Sequence, residues 1–202
     1  MIIIGLTGSI GMGKSTTAKM FAEAGIPVND ADAVVHDLYR GEAVRPVGDA
    51  FPGVVKEGVV DRQELSRRLA GDPAALRRLE SIVHPLVRKR EAEFLARHRA
   101  LNSDMVLLDI PLLFEAGGEA RVDVIVVVTC DPQIQRERVL ARPNMTEEKL
   151  DMILSRQMPD AEKRKRADFL VDTGHGMEAA RARVEEIITT LRSGITSGKD
   201  HA

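Results

Sequence analysis

A glycine-rich run, Gly8-Ser9-Ile10-Gly11-Met12-Gly13-Lys14-Ser15, connects an apolar β-branched segment, Ile2 to Leu6, to a stretch with helical patterning. It satisfies G-x-x-x-x-G-K-[ST] without a mismatch. The helix is expected over about Lys14 to Ala24, because Gly25 and Pro27 follow as a stop signal. A buried strand feeding a glycine loop and then a helix is the opening unit of an α/β fold with a parallel sheet.

The residue types at these positions carry a specific chemistry. Gly8 and Gly13 permit backbone conformations and close approaches that a Cβ would block. Successive loop N–H groups then converge into a concave anion nest, reinforced by the positive end of the helix. Lys14 places a point charge on the β and γ phosphates, and the Ser15 hydroxyl completes a Mg²⁺ shell otherwise made of water and phosphate oxygens. The loop therefore reads as a nucleoside-triphosphate site.

Further short apolar runs read as strands buried on both faces: Met105 to Leu108 and Val124 to Thr129, with weaker candidates at Ile26 to Asn29 and Phe169 to Asp172. Five strands alternating with helices predict a five-stranded parallel sheet flanked by helices. The spacing is uneven. The stretch from 39 to 103 is too long for one crossover helix and is punctuated by Gly41, Pro46, Pro52, Gly53, Gly58, Gly71 and Pro73. It is expected to be an inserted, mostly helical substrate subdomain. A second insert, 136–166, is dense in Arg, Lys and Glu and suits a mobile lid, with the core in 1–38, 104–135 and 167–192. The tail from Ser193 to Ala202 is expected to be disordered.

Composition closes several other routes. Lys plus Arg number 29 against 31 Asp plus Glu, so the large positive field needed for nucleic-acid or membrane-surface binding is lacking. Aromatics are 3% with no Trp, which leaves no stacking platform for single strands. The single cysteine, Cys130, excludes an internal disulfide or a Cys-rich zinc site and suits a reducing compartment. No apolar run reaches the ~20 residues that cross a bilayer, and the first residues lack a basic secretory n-region. A cytoplasmic protein with no nucleic-acid and no membrane partner is expected.

Among triphosphate-using classes, the guanine motif N-K-x-D and the switch motif D-x-x-G are both missing, as are four apolar residues ending in Asp-Glu. A small-molecule kinase needs an acceptor site, a water-excluding lid and a base near the acceptor hydroxyl. Asp30 and Asp32 fall at the end of the second strand, the edge where open α/β sheets place ligands, and strand alternation would point both the same way. One could accept a hydroxyl proton; equally, Asp32 before Ala33-Val34-Val35 reads as a helix N-cap. Asp109 ends the run Val106-Leu107-Leu108, the arrangement a metal-directed carboxylate needs, or merely terminates a strand. His84-Pro85 could start a helix at the proline.

The chain resembles the dephospho-CoA kinase family from Ile2 to about Gly174. The resemblance rests on Gly5 to Ser15, Asp30-Ala31-Asp32, Leu79-Glu80 with Ile82-Val83-His84-Pro85, Asp109-Ile110-Pro111-Leu112-Leu113-Phe114-Glu115, Gln135-Arg136-Glu137-Arg138 with Arg142, and Arg156-Gln157. It implies a P-loop nucleotide-kinase fold with a helical CoA subdomain and a lid. It also implies transfer of the γ-phosphate of ATP to the 3′-hydroxyl of dephospho-CoA. By position, Gly11, Met12, Gly13, Lys14, Ser15 and Thr16 would hold ATP, and Asp32 would be the base. His84, Phe114 and Glu115 would meet the acceptor, and Ser15 with Asp109 would serve Mg²⁺. Arg138 and Arg142 share a helix face, and Arg142 is the preferred phosphate-directed guanidinium. Relatives often carry Asn before a glycine where this chain has Asp172-Thr173-Gly174. A monomer or weak homo-oligomer is expected. Another nucleoside or metabolite kinase, or a non-catalytic triphosphate-binding regulator, are the alternative readings.

Overall fold

The β-branched runs become strands because their side chains are buried on both faces of one sheet. In the computed structural model, which describes residues 1–197, the chain runs in order through β1 (Ile2–Thr7), α1 (Lys14–Glu23), β2 (Val28–Asp30), α2 (Ala31–Leu38), α3 (Val44–Ala50), β3 (Val55–Lys56) and β4 (Val59–Val60). It continues through α4 (Arg62–Leu69), α5 (Pro73–Ala100), β5 (Met105–Asp109), a 3₁₀ turn (Glu119–Arg121), β6 (Val124–Thr129), α6 (Pro132–Leu140), α7 (Glu147–Leu154), α8 (Asp160–Lys165), β7 (Phe169–Asp172) and α9 (Met177–Ser197).

The five-stranded parallel sheet has the order β2-β5-β1-β6-β7. Its register sets Leu6 opposite Asp109 and Thr7 opposite Val127, so the C-terminal ends of β1, β5 and β6 form one edge. Ile4, Leu6, Met105, Leu107, Val126 and Val128 are at most 2% exposed. Each fully buried side chain of this size contributes about 1.5–3 kcal/mol, so burial on both faces of the sheet is a large part of what holds these runs in place. Packed against them are Ala18, Met20 and Phe21 of α1 and Val184, Ile187 and Ile188 of α9. No helix among the described residues is long and apolar enough to cross a membrane.

Backbone packing divides the chain into two units, Met1–Asn29 with the residues from Asn102 onward, and Asp30–Leu101. The second unit includes α2, which the sequence reading had left with the core. Its own core gathers Leu38, Val47, Val54, Leu65, Leu79 and Val83.

Two local expectations are corrected, and the mostly helical insert has one addition: β3 and β4 pair as an antiparallel hairpin with Val55 opposite Val60. Glu57 (φ 50°) and Gly58 (φ 77°) form its turn, the left-handed pair a tight hairpin requires. Pro85 does not start a helix; it lies inside α5, whose N-cap is Asp72 with Pro73 at the first position. The missing N–H costs one hydrogen bond, and burial of Leu79 and Val83 keeps the helix continuous around it. Ser193 to Ser197 continue α9 rather than forming a disordered tail, since extending a packed helix requires no new nucleus. The rest of the expected tail, residues 198–202, lies outside the described residues.

Candidate active site

The site begins where β1 ends. A Cβ at Gly8 would come within 2.7 Å of the Val128 carbonyl oxygen, so only glycine lets the loop leave the sheet this close to β6. Gly13 takes φ 94°, a left-handed conformation that aims the chain into α1. It makes no side-chain cap, and α1 has no acidic residue in its first turn. The N–H groups of Lys14, Ser15 and Thr16 consequently have no partner among the described residues. Three aligned donors at a positive helix end are an anion site.

Lys14 and Asp109 are brought together from positions 95 residues apart and form an ion pair. Asp109 is 2% exposed at the end of β5, and the carboxylate is supported there by the ammonium it faces. Ser15 and Thr16 are solvent-exposed on the first turn of α1. Met12 differs from its loop neighbours. Its side chain is buried, with Sδ 3.4 Å from Cys130 Sγ, and its N–H donates to the Ser9 carbonyl at 3.2 Å. Burial also pushes the Cys130 thiol pKa up, so this cysteine is a packing group rather than a nucleophile.

A pocket adjoins the loop, lined by Gly11, Gly13, Thr16, Arg138, Arg142 and Thr173 among others. Arg138 is anchored there, its guanidinium donating to Thr173 Oγ1 and to the Thr173 carbonyl, each at 2.8 Å. Thr173 Oγ1 in turn donates to the Met12 carbonyl at 2.8 Å. The residue that replaces the expected Asn thus braces the phosphate loop through its hydroxyl. Arg142 lines the same pocket from beyond the end of α6, which stops at Leu140, so the expectation that it shares a helix face with Arg138 is corrected.

The segment after β5 is tied down separately. Thr7 Oγ1 donates to the Pro111 carbonyl at 3.2 Å, Phe114 is buried with the Arg166 guanidinium 5.8 Å from its ring centre, and Glu115 faces Lys163 at 2.9 Å. Lys163 is fully buried, and Glu115 also accepts from the Met158 N–H at 2.7 Å. Burial works against the charged form of Glu115. The Lys163 ammonium and the Met158 N–H outweigh it and hold the carboxyl below its ordinary range.

Asp32 and His84 belong to the unit Asp30–Leu101. The cap of α2 is Asp30, not Asp32: Asp30 Oδ1 accepts from the N–H groups of Asp32 at 2.8 Å and Ala33 at 3.1 Å. Strand alternation does not extend to Asp32, because β2 stops at Asp30 and helix begins at Ala31. Asp32 is left exposed in the first helical turn, its carboxylate not required for capping. His84 is exposed on α5.

Sequence reading assigned no role to Lys163, Gln135, Gln157 or the Thr173 hydroxyl. Lys163 carried no signal of its burial, since it sits between charged residues in a segment where solvated lysines are the ordinary case.

A parallel sheet with an uncapped glycine loop, a lysine–aspartate pair at its carboxyl edge and arginines over the adjoining pocket defines a P-loop kinase. Residues 2–178 match the family model described as dephospho-CoA kinase. The chain belongs to that family. It is 68% identical over 198 residues to dephospho-CoA kinase of Rhizobium etli, covering 98% of each chain, and 64% identical to that of Rhizobium meliloti, covering 96% of this chain and all of the other. Among solved structures it is similar to TT1252 from Thermus thermophilus, with TM-score 0.82, 37% identity and coverage of 94% and 96%. The fold is shared with dephospho-CoA kinase from Campylobacter jejuni at TM-score 0.72 and 23% identity, covering 95% and 98%.

Proposed function

We propose that this kinase transfers the γ-phosphoryl group of ATP to the 3′-hydroxyl of dephospho-CoA, giving coenzyme A and ADP, the last step of coenzyme A biosynthesis. The observation that carries the reading is the phosphate site, where free N–H groups at the start of α1 flank the Lys14–Asp109 pair. The named acceptor of the 68% identical relative supplies the acceptor class.

In this reading the amides of Gly11 and of Gly13 through Thr16 and the Lys14 ammonium bind the β and γ phosphates, while the Met12 amide stays on the Ser9 carbonyl, and adenosine lies in the pocket beside Thr173 and Arg138. Arg142, on the lid formed by 136–166, places a guanidinium against charge developing on the transferring group. The exposed Ser15 hydroxyl and the Asp109 carboxylate are hard oxygen donors, the set that Mg²⁺ takes, so these two residues would hold it. When bound, Mg²⁺ neutralises phosphate oxygens. Asp32 accepts the ribose 3′ proton as that oxygen forms its bond to the γ-phosphorus and the bond to the ADP oxygen breaks.

The pantetheine arm is received by the unit Asp30–Leu101, and His84, Phe114 and Glu115 are the residues that the acceptor would meet. The enzyme acts as a monomer or weak homo-oligomer in the cytoplasm, where a free buried thiol such as Cys130 stays reduced.

An ADP-release assay across dephospho-CoA, adenosine, AMP and shikimate tests the acceptor. Dephospho-CoA should exceed the others at least ~100-fold in kcat/KM, because remote binding energy positions the ribose. Equal values for adenosine and dephospho-CoA would remove the pantetheine arm from recognition.

A further inference from the structure

Two glutamines from separate parts of the chain grasp the same residue of the phosphate loop. Gln135 Nε2, on α6, donates to the Ile10 carbonyl at 2.7 Å. Gln157 Oε1, in the connection between α7 and α8, accepts from the Ile10 N–H at 3.1 Å. They lie 125 and 147 residues from Ile10 in sequence. Neither bond belongs to secondary structure, and each uses the opposite polarity of a carboxamide.

We infer that Gln135 and Gln157 are positioning residues that preset the phosphate loop for ATP by fixing two consecutive peptide planes. A peptide is planar and trans, so holding one polar atom fixes the direction of the other. The Ile10 carbonyl and the Gly11 N–H share a plane. Gln135, by drawing the carbonyl to itself, turns the Gly11 N–H away, toward the pocket that Gly11 lines. The Ser9 carbonyl and the Ile10 N–H share the preceding plane. Gln157 holds its N–H end, and the Met12 N–H holds its carbonyl end at 3.2 Å.

The need for such a grip follows from the loop's own chemistry. Glycine-rich backbone reorients easily, and the nest works only when its donors point one way before the anion arrives. Gln135 is 7% exposed, and a carboxamide that buried is retained at a cost unless its hydrogen bonds are made. Its burial against the loop therefore makes the orientation of the Ile10–Gly11 peptide hard to lose.

The two grips predict opposite responses to one substitution. Gln157→Glu keeps an acceptor for the Ile10 N–H. Gln135→Glu removes the donor and sets a carboxylate against a carbonyl. A negative charge added near the phosphates acts at both positions, so the difference between them is the readout.

The inference rests on the loop being the ATP site, and ATP affinity by calorimetry measures it without any acceptor. Failure to phosphorylate dephospho-CoA is then a separate result. In Gln157→Leu the exchange rate of the Ile10 amide proton, followed by NMR without ligand, should rise at least tenfold, and in Gln157→Glu it should stay within threefold. The Gly11 amide resonance should move in Gln135→Leu and Gln135→Glu. Loss of one hydrogen bond corresponds to about a five- to tenfold rise in ATP Kd, expected in both leucine variants and in Gln135→Glu. KM for ATP should rise in parallel while the melting temperature stays within a few degrees; partial unfolding would instead lower apparent kcat with KM unmoved. Unchanged Ile10 exchange in Gln157→Leu, or ATP Kd within twofold of the parent in both leucine variants, would overturn the proposal. Should Gln135→Leu fail to fold, the Gln157 pair decides the question alone.

Discussion

The Lys14 ammonium, at the first turn of α1, is paired with the Asp109 carboxylate at the end of β5, the strand directly beside β1. The ammonium is thus held by a 2% exposed carboxylate, which keeps a flexible side chain in place beside the loop. Removing Lys14 has two separable effects. Lys14→Ala should reduce turnover at least ~10³-fold, as loss of a phosphate clamp. It should also lower stability by about 1–3 kcal/mol, because the buried Asp109 carboxylate loses the ammonium it faces. Lys14→Ala combined with Asp109→Asn should recover much of the stability in urea melts without recovering turnover. Wild-type stability in the single variant would contradict the pairing.

Asp109→Asn alone addresses the metal. If Asp109 serves Mg²⁺, the Mg²⁺ concentration for half-maximal initial rate should rise several-fold, since a neutral amide is a poorer partner for a hard cation. A titration of initial rate against Mg²⁺ checks this, and an unmoved midpoint would remove Asp109 from the metal site.

Asp30 and Asp32 should separate cleanly. If Asp32 is the base, Asp32→Asn removes the proton acceptor while the Asp30 cap remains, and turnover should fall about 10²–10⁴-fold with ATP affinity by calorimetry unchanged. Asp30→Ala deletes a cap instead, costing roughly 1 kcal/mol of stability, while Asp30→Asn keeps it. If Asp32→Asn turns over within tenfold of the parent, the base lies elsewhere.

The Glu115–Lys163 pair gives the protein an acid-sensitive contribution. Glu115 is held below its ordinary range in the folded state, so its stabilisation is present above the unfolded carboxyl pKa and is lost as pH falls through the folded value. Urea midpoints should therefore decline below about pH 4.5, and Lys163→Met should flatten that part of the profile. Lys163→Met should also destabilise by about 3–5 kcal/mol near neutral pH, an effect that Glu115→Gln in the same chain should relieve. An unchanged acid slope in Lys163→Met would exclude the pair as its source.

Much of this was legible from residue order because the relevant physics is local. Continuous β-branched runs can only be strands buried on both faces, and all five runs entered the sheet near their expected bounds. Gly8, Gly13 and Lys14 state the phosphate loop through backbone conformations that few other residues allow. The hairpin at β3 and β4 had a signal too, Glu57-Gly58 between valines, hidden by the helical context of the insert.

What the amino-acid sequence by itself determined was the loop, the strands and the kinase class, since each depends on neighbours within a few residues. The tertiary structure alone decided which distant groups meet. The strand order β2-β5-β1-β6-β7 sets β5 beside β1, and that adjacency, not any spacing in the chain, delivers Asp109 to Lys14. Likewise Thr173 reaches the Met12 carbonyl and the two glutamines reach Ile10 only because β6, α6 and β7 return to the edge from which the loop departs. Asp30 rather than Asp32 became the cap because β2 ended one residue before helix began, a boundary set by where sheet pairing stops.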